Sequence, residues 1–245
     1  MYIDTYFWAR HLEDVKQTLS LLENDESVET YAELLLRRMK NRPVISFSIR
    51  KNFALNSFAG AKPEEVFVDC GAYVGDTVEK YLWEREGCFS KIFALEPFAR
   101  NYQAMLARFE RLRREWALSD DQLVAVCGGA GAQDMDCCIG TSGGGLGAVV
   151  QEQGDHIHIY KLDDLFADQT VGYIKADIEG SEYDMLLGAE NVLKRDRPLL
   201  SICLYHTPAD FYQIPLYLNR LQLGYKFQVR HHSPTFSETV LYAYC

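Results

Sequence analysis

The sequence predicts an α/β fold, in which a mostly parallel sheet ends in an antiparallel hairpin and a helical attachment precedes the sheet. Two observations lead to this prediction. From Pro63 onward, short β-rich runs alternate with helical patterns, which is typical of parallel strands joined by right-handed crossovers. The stretch 224–245 instead holds two β-rich runs around a turn of His, Ser and Pro, with no helix between them. Such a pair of runs indicates a hairpin.

The individual elements follow from the period of the apolar residues. Short apolar runs predict five strands, at Val66–Cys70, Ile92–Leu95, Leu123–Cys127, Gly172–Ala176 and Leu199–Leu204. Apolar residues at helical spacing predict helices at Thr77–Arg85, Ala99–Arg114, Ser181–Leu193 and Thr207–Leu223. Thr207-Pro208 is a good helix start, because proline is favoured in the first turn.

The first 62 residues have a mainly helical apolar pattern instead of the alternation seen from Pro63 onward. We expect them to form a helical attachment to a main domain at 63–245. Two helices are predicted, over Leu12–Leu22 and Val28–Met39, followed by an extended stretch at Val44–Ile49. This attachment either covers the ligand pocket or is only a packing appendage.

A glycine-rich insertion, GTSGGGLG, lies between Asp134 and Tyr160. It fails as a phosphate loop because no Lys-Ser/Thr pair follows the glycines. We expect a hairpin whose tip either closes over a ligand or remains a plain surface turn.

Composition narrows the function class. The formal charge is −10 over 245 residues, which disfavours nucleic acid as a partner because phosphate binding needs a basic surface. The apolar stretches are too short to span a membrane. The seven cysteines are an odd number without metal-ligand spacing, which fits reduced thiols. We therefore expect a cytoplasmic protein without nucleic-acid or membrane partners.

The most informative segment is VFVDCGAYVGDT, residues 66–77. An apolar run ends in Asp69, and Gly71, Ala72 and Gly75 then space a turn before a helical pattern. Small residues in such a turn let backbone N–H groups and a helix N-terminus approach a ligand closely. The alternative is an ordinary turn between a strand and a helix that binds nothing.

Glu96, in KIFALEP, is expected at the end of the second strand, 27 residues after Asp69 (96 − 69). A carboxylate at that position accepts hydrogen bonds from both hydroxyls of a ribose. The turn lacks the GxGxxG pattern of dinucleotide sites, so NAD fits poorly. Asp69 would repel phosphates and suits a cofactor with ammonium and sulfonium groups. These features together favour S-adenosylmethionine.

A second dense cluster, VGYIKADIEGSEYDMLLGA, covers residues 171–189. Alternation places Tyr173, Lys175, Asp177 and Glu179 on one side of the strand. A lysine inside a central strand is costly unless paired, so we predict that Lys175 pairs with Asp69 or Asp177. Asp177 and Glu179 are expected at the carboxyl end of the sheet, where such folds bind ligands. The alternative for Glu179 is helix capping together with Ser181.

His206 follows the fifth strand at the same rim and is the first candidate for a general base, since its ordinary pKa is about 6.5. Asp177 and Glu179 are the second candidates, and His231 and His232 are weaker ones. An ion held by Asp177, Glu179 and His206 is an alternative that oxygen-rich sites allow, but we predict no metal.

Five motifs, taken in order, resemble the FkbM family of S-adenosylmethionine-dependent methyltransferases. They are DCGAYVGDT, ALEPFARNYQAM, KLDDLF, IKADIEGSEYDML and RHHSPTFSETVLYAY. The resemblance covers about residues 63–245. It implies a Rossmann-like, class I methyltransferase sheet of seven strands and O-methylation of a hydroxyl, frequently on sugars or polyketides.

The resemblance also implies roles for individual residues. It puts Asp69, Gly71, Ala72 and Gly75 against the methionine part of the cofactor and Glu96 on the ribose. It puts later residues near the reaction centre, namely Asp163, Lys175, Asp177, Glu179 and Gly180. Two departures are visible: Cys127-Gly128-Gly129 stands where the family often has a polar residue, and Leu204-Tyr205 offers no acidic residue before His206.

The sequence therefore predicts a methyltransferase that uses S-adenosylmethionine and acts on a hydroxyl of a sugar, glycan or polyketide-like small molecule. Its catalytic candidates are His206, Asp177 and Glu179, and Asp177 is also a cofactor-binding candidate. The alternatives are a cofactor-binding module without catalysis and an NAD-type oxidoreductase.

Overall fold

The computed structural model describes residues 5–40, 60, 62–141, 148–151 and 155–245. Its helices are α1 Thr5–Arg10, α2 Leu12–Leu21, α3 Asp25–Lys40, α4 Asp76–Glu84, α5 Ala99–Trp116, α6 Leu162–Leu165, α7 Glu182–Leu187, α8 Glu190–Asp196 and α9 Asp210–Arg220. Its strands are β1 Val66–Cys70, β2 Lys91–Glu96, β3 Leu123–Cys127, β4 Gly129–Gly131, β5 Met135–Thr141, β6 Ala148–Gln151, β7 Asp155–Lys161, β8 Tyr173–Ala176, β9 Leu199–Cys203, β10 Lys226–His231 and β11 Thr239–Tyr244. No helix among these residues is long and apolar enough to cross a membrane.

Seven strands form the main sheet in the order β10-β11-β9-β8-β1-β2-β3. β1 pairs in parallel with both β2 and β8, and β2 pairs in parallel with β3. β11 is antiparallel to both β10 and β9. The predicted fold class, a mostly parallel sheet ending in an antiparallel hairpin, is confirmed. The strand order turns at β1, because the chain continues to β2 on one side and returns as β8 on the other.

The glycine-rich insertion contributes a second sheet, with the order β4-β7-β5-β6. β5 pairs antiparallel with β6 and with β7, while β4 runs parallel to β7. The predicted hairpin is therefore part of a larger sheet. Most of the glycine-rich tip, residues 142–147, lies outside the described residues.

The chain divides into two compact units. One combines the N-terminal segment Met1–Ala54 with Leu199–Cys245, and the other spans Leu55–Pro198. The predicted boundary between an attachment at 1–62 and a domain at 63–245 stays a prediction.

Stacked aromatic rings hold α4 against the sheet in the second unit. The ring of Phe67 on β1 lies 4.4 Å from the ring of Tyr81 and 4.6 Å from the ring of Tyr173, both stacked. The Tyr81 hydroxyl donates to Glu65 Oε1 at 2.7 Å, and Arg85 Nε lies 3.1 Å from the same oxygen. Because these groups are buried, each polar atom needs the partner that its neighbour supplies. The helix that follows the glycine turn is thereby fixed in place.

The N-terminal helices of the first unit pack on α9. The ring of Trp8 meets that of Phe211 edge-on at 6.0 Å, and the Tyr31 hydroxyl donates to the Phe211 carbonyl at 2.8 Å. Helices α2 and α3 match the two predicted ones, whereas α1 was not predicted. Its six residues are too few for a helical period to show, and the Trp8 contact is non-local. The extended stretch predicted at Val44–Ile49 lies outside the described residues.

The helix predicted over Ser181–Leu193 is wrong in one respect, because the structure has two helices, α7 and α8, with a break at Gly188. A Cβ on Gly188 would lie only 2.0 Å from the Gly131 carbonyl oxygen. The Gly188 carbonyl accepts from the Asp163 N–H at 2.8 Å, and Asp163 Oδ1 accepts from the Val192 N–H at 2.9 Å. This capping of α8 by a distant carboxylate replaces the continuous helix that the local pattern indicates.

The hairpin of β10 and β11 buries a histidine. His231 Nδ1 lies 2.8 Å from Thr239 Oγ1, and its Nε2 lies 2.8 Å from the Thr235 carbonyl oxygen. Burial lowers the pKa of His231 to about 4, with smaller opposing effects from its hydrogen bonds. The ring is therefore neutral in the folded protein at neutral pH.

This shift predicts acid sensitivity. The unfolded chain binds a proton on His231 near pH 6.5 and the folded chain only near pH 4, so the free energy of unfolding should fall as pH drops between these values, by up to ~1.4 kcal/mol per pH unit. A His231→Gln variant should lose this part of the slope in urea titrations at pH 7, 6, 5 and 4. An unaltered slope in His231→Gln would contradict the assignment.

Candidate functional site

The carboxyl ends of β1, β2 and β8 meet at one edge of the main sheet. The register pairs Asp69 of β1 with Ala94 of β2 and with Lys175 of β8. Since the strand order turns at β1, a crevice between diverging loops is expected at this edge. The structure brings together here the loop after β1, Glu96 at the end of β2, and Asp177 just after β8.

The loop after β1 owes its glycines to packing within the protein. Gly71 has φ +77°, and a Cβ on it would lie 2.0 Å from the Asp177 carbonyl oxygen. Gly75 also has φ +77° and leads directly into α4; a Cβ there would press on Met105 and Phe109 at 3.2 Å. Both positions therefore require glycine whether or not a ligand is present. At Gly71 the backbone approaches the loop after β8 closely, whereas the predicted approach to a ligand stays a prediction.

Hydrogen bonds fix this loop to its neighbours. The N–H groups of Gly71 and Ala72 both donate to the Leu95 carbonyl at 3.0 Å, and the Asp177 N–H donates to the Cys70 carbonyl at 3.1 Å. Ala72 is buried. The predicted cofactor loop is thus held on both sides, by β2 and by the residue that follows β8.

A buried ion pair lies beneath the loop. Lys175 Nζ lies 2.8 Å from Asp69 Oδ1 and donates to the Gly71 carbonyl, also at 2.8 Å. The Asp69 side chain is 0% exposed and that of Lys175 is 3% exposed. The pairing of Lys175 with Asp69 is one of the two partners predicted from strand alternation. Burial raises the pKa of Asp69, and the ammonium of Lys175 opposes that shift.

The ammonium group of Lys175 contacts both the Asp69 carboxylate and the backbone. This group lies at ion-pair distance from Asp69 Oδ1. It also donates a hydrogen bond to the Gly71 carbonyl. The ion pair therefore positions the loop as well as neutralising Asp69. Whether Asp69 also contacts a ligand stays a prediction.

Glu96 is a buried carboxylate, only 4% exposed, at the end of β2. Its Oε2 accepts from the Tyr73 N–H at 2.9 Å, while Oε1 accepts from the Phe98 N–H at 3.0 Å and from Asn101 Nδ2 at 3.2 Å. A carboxylate has about four acceptor positions, so three donors from the described residues leave room for one more. Burial raises the pKa of Glu96, and these hydrogen bonds oppose the shift.

The loop after β8 has its own buried carboxylate. Glu182, at the start of α7, is 0% exposed and accepts from the Ile178 N–H at 2.7 Å and from the Gly180 N–H at 2.9 Å. Helix capping by Glu179 and Ser181 was the alternative considered from the sequence, but the Ser181 side chain makes no capping hydrogen bond. Glu179 itself has φ +59°. Glu182 was missed because it directly follows the N-cap Ser181 and so lacks the spacing of a capping box.

Asp163 and His206 are the two remaining site residues that the sequence predicted. Asp163 belongs to α6 and caps α8 through Val192, as described above. His206 follows β9 in the first unit and is partly exposed. Its predicted role as a base, like those of Asp177 and Glu179, stays a prediction.

Sequence reasoning also missed Tyr73 and Asn101. Asn101 supplies a donor to Glu96 from the first turn of α5, and an asparagine five residues after a strand-terminal carboxylate gave no distinct signal. Tyr73 has φ +50° and is 47% exposed, a backbone conformation that sequence alone does not reveal for tyrosine.

The fold and this edge together define a class I, Rossmann-like methyltransferase architecture. The family described as the methyltransferase FkbM domain matches residues 69–227, well over half of the chain. This chain belongs to that family. No curated protein sequence matches it.

One solved structure supports the fold strongly. Methyltransferase FkbM from Methylobacillus flagellatus KT is 26% identical, with a TM-score of 0.80 over 98% of this chain. The chain spans 60% of the length of that relative. More distant similarity is found to Aeropyrum pernix fibrillarin with bound S-adenosyl-L-methionine (12% identical, TM-score 0.44, 75% of this chain and 67% of that one). A putative rRNA methylase from Clostridium thermocellum is 10% identical, with a TM-score of 0.48 over 81% of this chain and 95% of that one.

The buried ion pair predicts an asymmetric mutational response. Lys175→Met should lower the free energy of unfolding by about 3–5 kcal/mol, because it leaves the Asp69 charge buried without a cation. Lys194→Met is the matched control: its partner Glu190 and Lys194 itself are both exposed, so the loss should stay below ~1 kcal/mol. Urea denaturation measures both.

A double variant sharpens this test. Asp69→Leu combined with Lys175→Met removes both charges and should recover part of the stability lost in Lys175→Met. A double variant whose loss equals the sum of the two single losses would show that the two charges are not coupled.

Proposed function

We propose that this chain is an S-adenosylmethionine-dependent methyltransferase that methylates a hydroxyl of a sugar, glycan or polyketide-like small molecule. Membership of the FkbM family supports a methyltransferase. The main support for S-adenosylmethionine as the cofactor is Glu96. This carboxylate is nearly buried at the carboxyl end of β2, and three donors from the described residues leave one of its acceptor positions available. That position suits a ribose hydroxyl, which is a neutral donor.

The residues at the carboxyl edge of the main sheet suit S-adenosylmethionine. Glu96 would hold the ribose, while Gly71, Ala72 and Gly75 would form the backbone surface along the methionine part. Asp177 and Glu96 add negative charge at this edge, which favours a cationic ligand over a phosphate-bearing one. The buried Asp69 would act mainly through Lys175 and the loop. A dinucleotide would have to place its pyrophosphate near these carboxylates.

Bound S-adenosylmethionine supplies an electrophilic methyl group on a positively charged sulfur. The protein's contribution is alignment and removal of one proton from the acceptor hydroxyl. We assign the proton to a ring nitrogen of His206, with the carboxylates of Asp177 and Glu179 as second choices. Rigid support for the Asp177–Gly180 segment comes from Glu182, whose carboxylate accepts from the N–H groups of Ile178 and Gly180. No metal is part of the proposal.

The setting of the enzyme is also a proposal. The seven cysteines are an odd number without metal-ligand spacing, which fits reduced thiols in the cytoplasm. The net charge of −10 disfavours a nucleic-acid acceptor. We therefore place the acceptor among small molecules and glycans.

Cofactor binding tests the first half of the proposal. S-adenosylhomocysteine and S-adenosylmethionine should raise the unfolding temperature of the full chain, and NAD should not. Glu96→Gln should weaken S-adenosylhomocysteine about 10–100-fold by calorimetry, because hydrogen bonds to a charged acceptor are worth ~1.5–3 kcal/mol.

Glu65 provides the control for Glu96. It is also a buried carboxylate, but it precedes β1 at the amino end of the strand. Glu65→Gln should lower stability and leave the affinity for S-adenosylhomocysteine unchanged. Stabilisation by NAD alone, or equal cofactor affinity in Glu96→Gln and the wild type, would contradict the assignment.

A methyl-transfer assay tests the second half of the proposal, namely the acceptor and the catalytic base. Transfer of labelled methyl from S-adenosylmethionine to a panel of sugars, glycans and polyketide-like alcohols should identify an acceptor. With that acceptor, His206→Ala should reduce kcat about 10²–10⁴-fold, while the affinity for S-adenosylhomocysteine stays within about twofold of the wild type. A His206→Ala enzyme with full kcat would remove His206 as the base and leave Asp177→Asn and Glu179→Gln to be compared.

A further inference from the structure

One face of β5 and β7, in the second sheet, carries side chains of the types that bind metals in proteins. The register sets Asp136 opposite His158 and Cys138 opposite His156. Residues directly opposite each other in an antiparallel pair share a face, and so do residues two apart in one strand. This face therefore presents a carboxylate, a thiol and two imidazoles as two adjacent cross-strand pairs. The proposed methyl transfer uses none of them.

The thiol and one imidazole have the separation of two ligands of a single ion. Cys138 Sγ lies 3.5 Å from His156 Nδ1 and 3.9 Å from His156 Nε2. In a tetrahedral zinc site the Zn–S and Zn–N bonds are about 2.3 and 2.0 Å long, which puts sulfur and nitrogen about 3.5 Å apart. His156 is exposed and Cys138 is partly exposed, so an ion can reach both from solvent.

The second pair supplies an oriented carboxylate. His158 Nδ1 lies 2.8 Å from Asp136 Oδ1, and His158 Nε2 lies 3.2 Å from Asp134 Oδ1. Because both ring nitrogens face carboxylates, His158 orients its neighbours and is not itself placed as a ligand. Asp136 Oδ2 has no hydrogen-bond partner among the described residues, and the side chain is 87% exposed. Adjacent pairs on one face lie about 7 Å apart along the strands, so one ion can contact Asp136 and the first pair together.

We propose that Cys138, His156 and Asp136 bind a zinc ion on the second sheet, with His158 as a positioning residue for Asp136. Thiolate, imidazole and carboxylate are the ligand types of zinc, and the soft thiolate disfavours Mg²⁺ and Ca²⁺. Binding releases the thiol proton of Cys138 to solvent, and a water molecule completes the tetrahedron. Hydrogen bonds from outer groups commonly hold metal ligands in place, which is the role of His158. This inference is independent of the proposed function.

The ion would join two strands through residues that are distant in the chain. Cys138 and His156 are 18 residues apart, and the residues of the site follow the two-residue period of a strand, in DMDCC and HIH. Zinc sites that are visible in a sequence usually place two cysteines in a short turn, as in CxxC. The spacing of the cysteines therefore gives no sign of this site, because its other ligands are not cysteines.

Cys137 offers a matched control for Cys138. It lies opposite Ile157, which is buried, so the side chain of Cys137 is on the other face of the sheet. Co²⁺ serves as the probe, since it occupies tetrahedral zinc sites and absorbs by charge transfer when a thiolate binds it. The reduced full chain, titrated with Co²⁺, should develop this absorption band, and Zn²⁺ should abolish it. Cys137→Ser should keep the band, whereas Cys138→Ser should not develop it.

Calorimetric titration with Zn²⁺ grades the roles of the individual residues. His158→Gln should weaken zinc binding about 10–100-fold, as expected for an outer group that orients a ligand. Cys138→Ser and His156→Gln should weaken it more, because each removes a ligand. All these side chains are exposed or partly exposed, so the unfolding temperature of each metal-free variant should stay within about 2 °C of the wild type.

A wild-type protein that develops no thiolate-to-cobalt band would overturn the inference. Loss of the band in Cys137→Ser, or its persistence in Cys138→Ser, would overturn the assigned ligand. His156→Gln guards against a folding defect in Cys138→Ser, since both variants should lose zinc while their metal-free unfolding temperatures stay unchanged. Equal zinc affinity in His158→Gln and the wild type would overturn the positioning role of His158.

Discussion

The buried pair of Lys175 and Asp69 is the constraint on which the carboxyl edge of the main sheet, the proposed cofactor site, depends. A lysine inside a four-residue central strand is acceptable only because its ammonium lies between a carboxylate and the Gly71 carbonyl. One side chain thereby joins β8, the end of β1 and the loop that follows. The loop is then shaped by neighbours on two sides, since Leu95 of β2 binds its N–H groups. A ligand would meet a surface that is already formed.

The carboxylates of Asp69, Glu96 and Glu182 have different roles at this edge because their surroundings differ. Asp69 is paired and enclosed, whereas Glu96 accepts three hydrogen bonds and has room for a fourth. Glu182 has no exposed surface and holds the backbone around Glu179. Their common feature is that each binds backbone directly, or in the case of Asp69 through Lys175. Shape and negative potential at the edge therefore come from the same groups.

Much of this arrangement could be predicted from the sequence. The bounds of β1 and β3 follow from apolar runs that end at polar or small residues, and the partner of Lys175 follows from strand alternation and the cost of burying a charge. The break at Gly188 could not be predicted, because it depends on the carbonyl of Gly131, which lies far away in the chain. Helix α1 likewise depends on a contact between Trp8 and Phe211. The positive φ of Tyr73 is a backbone property, and no side-chain pattern encodes it.

The pairing of β1 with β8 also has a consequence for folding. Lys175 and Gly71, which it binds, are 104 residues apart in the chain, so their contact closes a long loop and contributes to slow folding. Until β8 arrives, β1 can pair with β2, but Asp69 then has no cation, and enclosing its charge is unfavourable. The contact that joins β8 to β1 is therefore also the contact that shapes the loop after β1. Partly folded chains should lack a competent site even when β1, β2 and β3 are already paired.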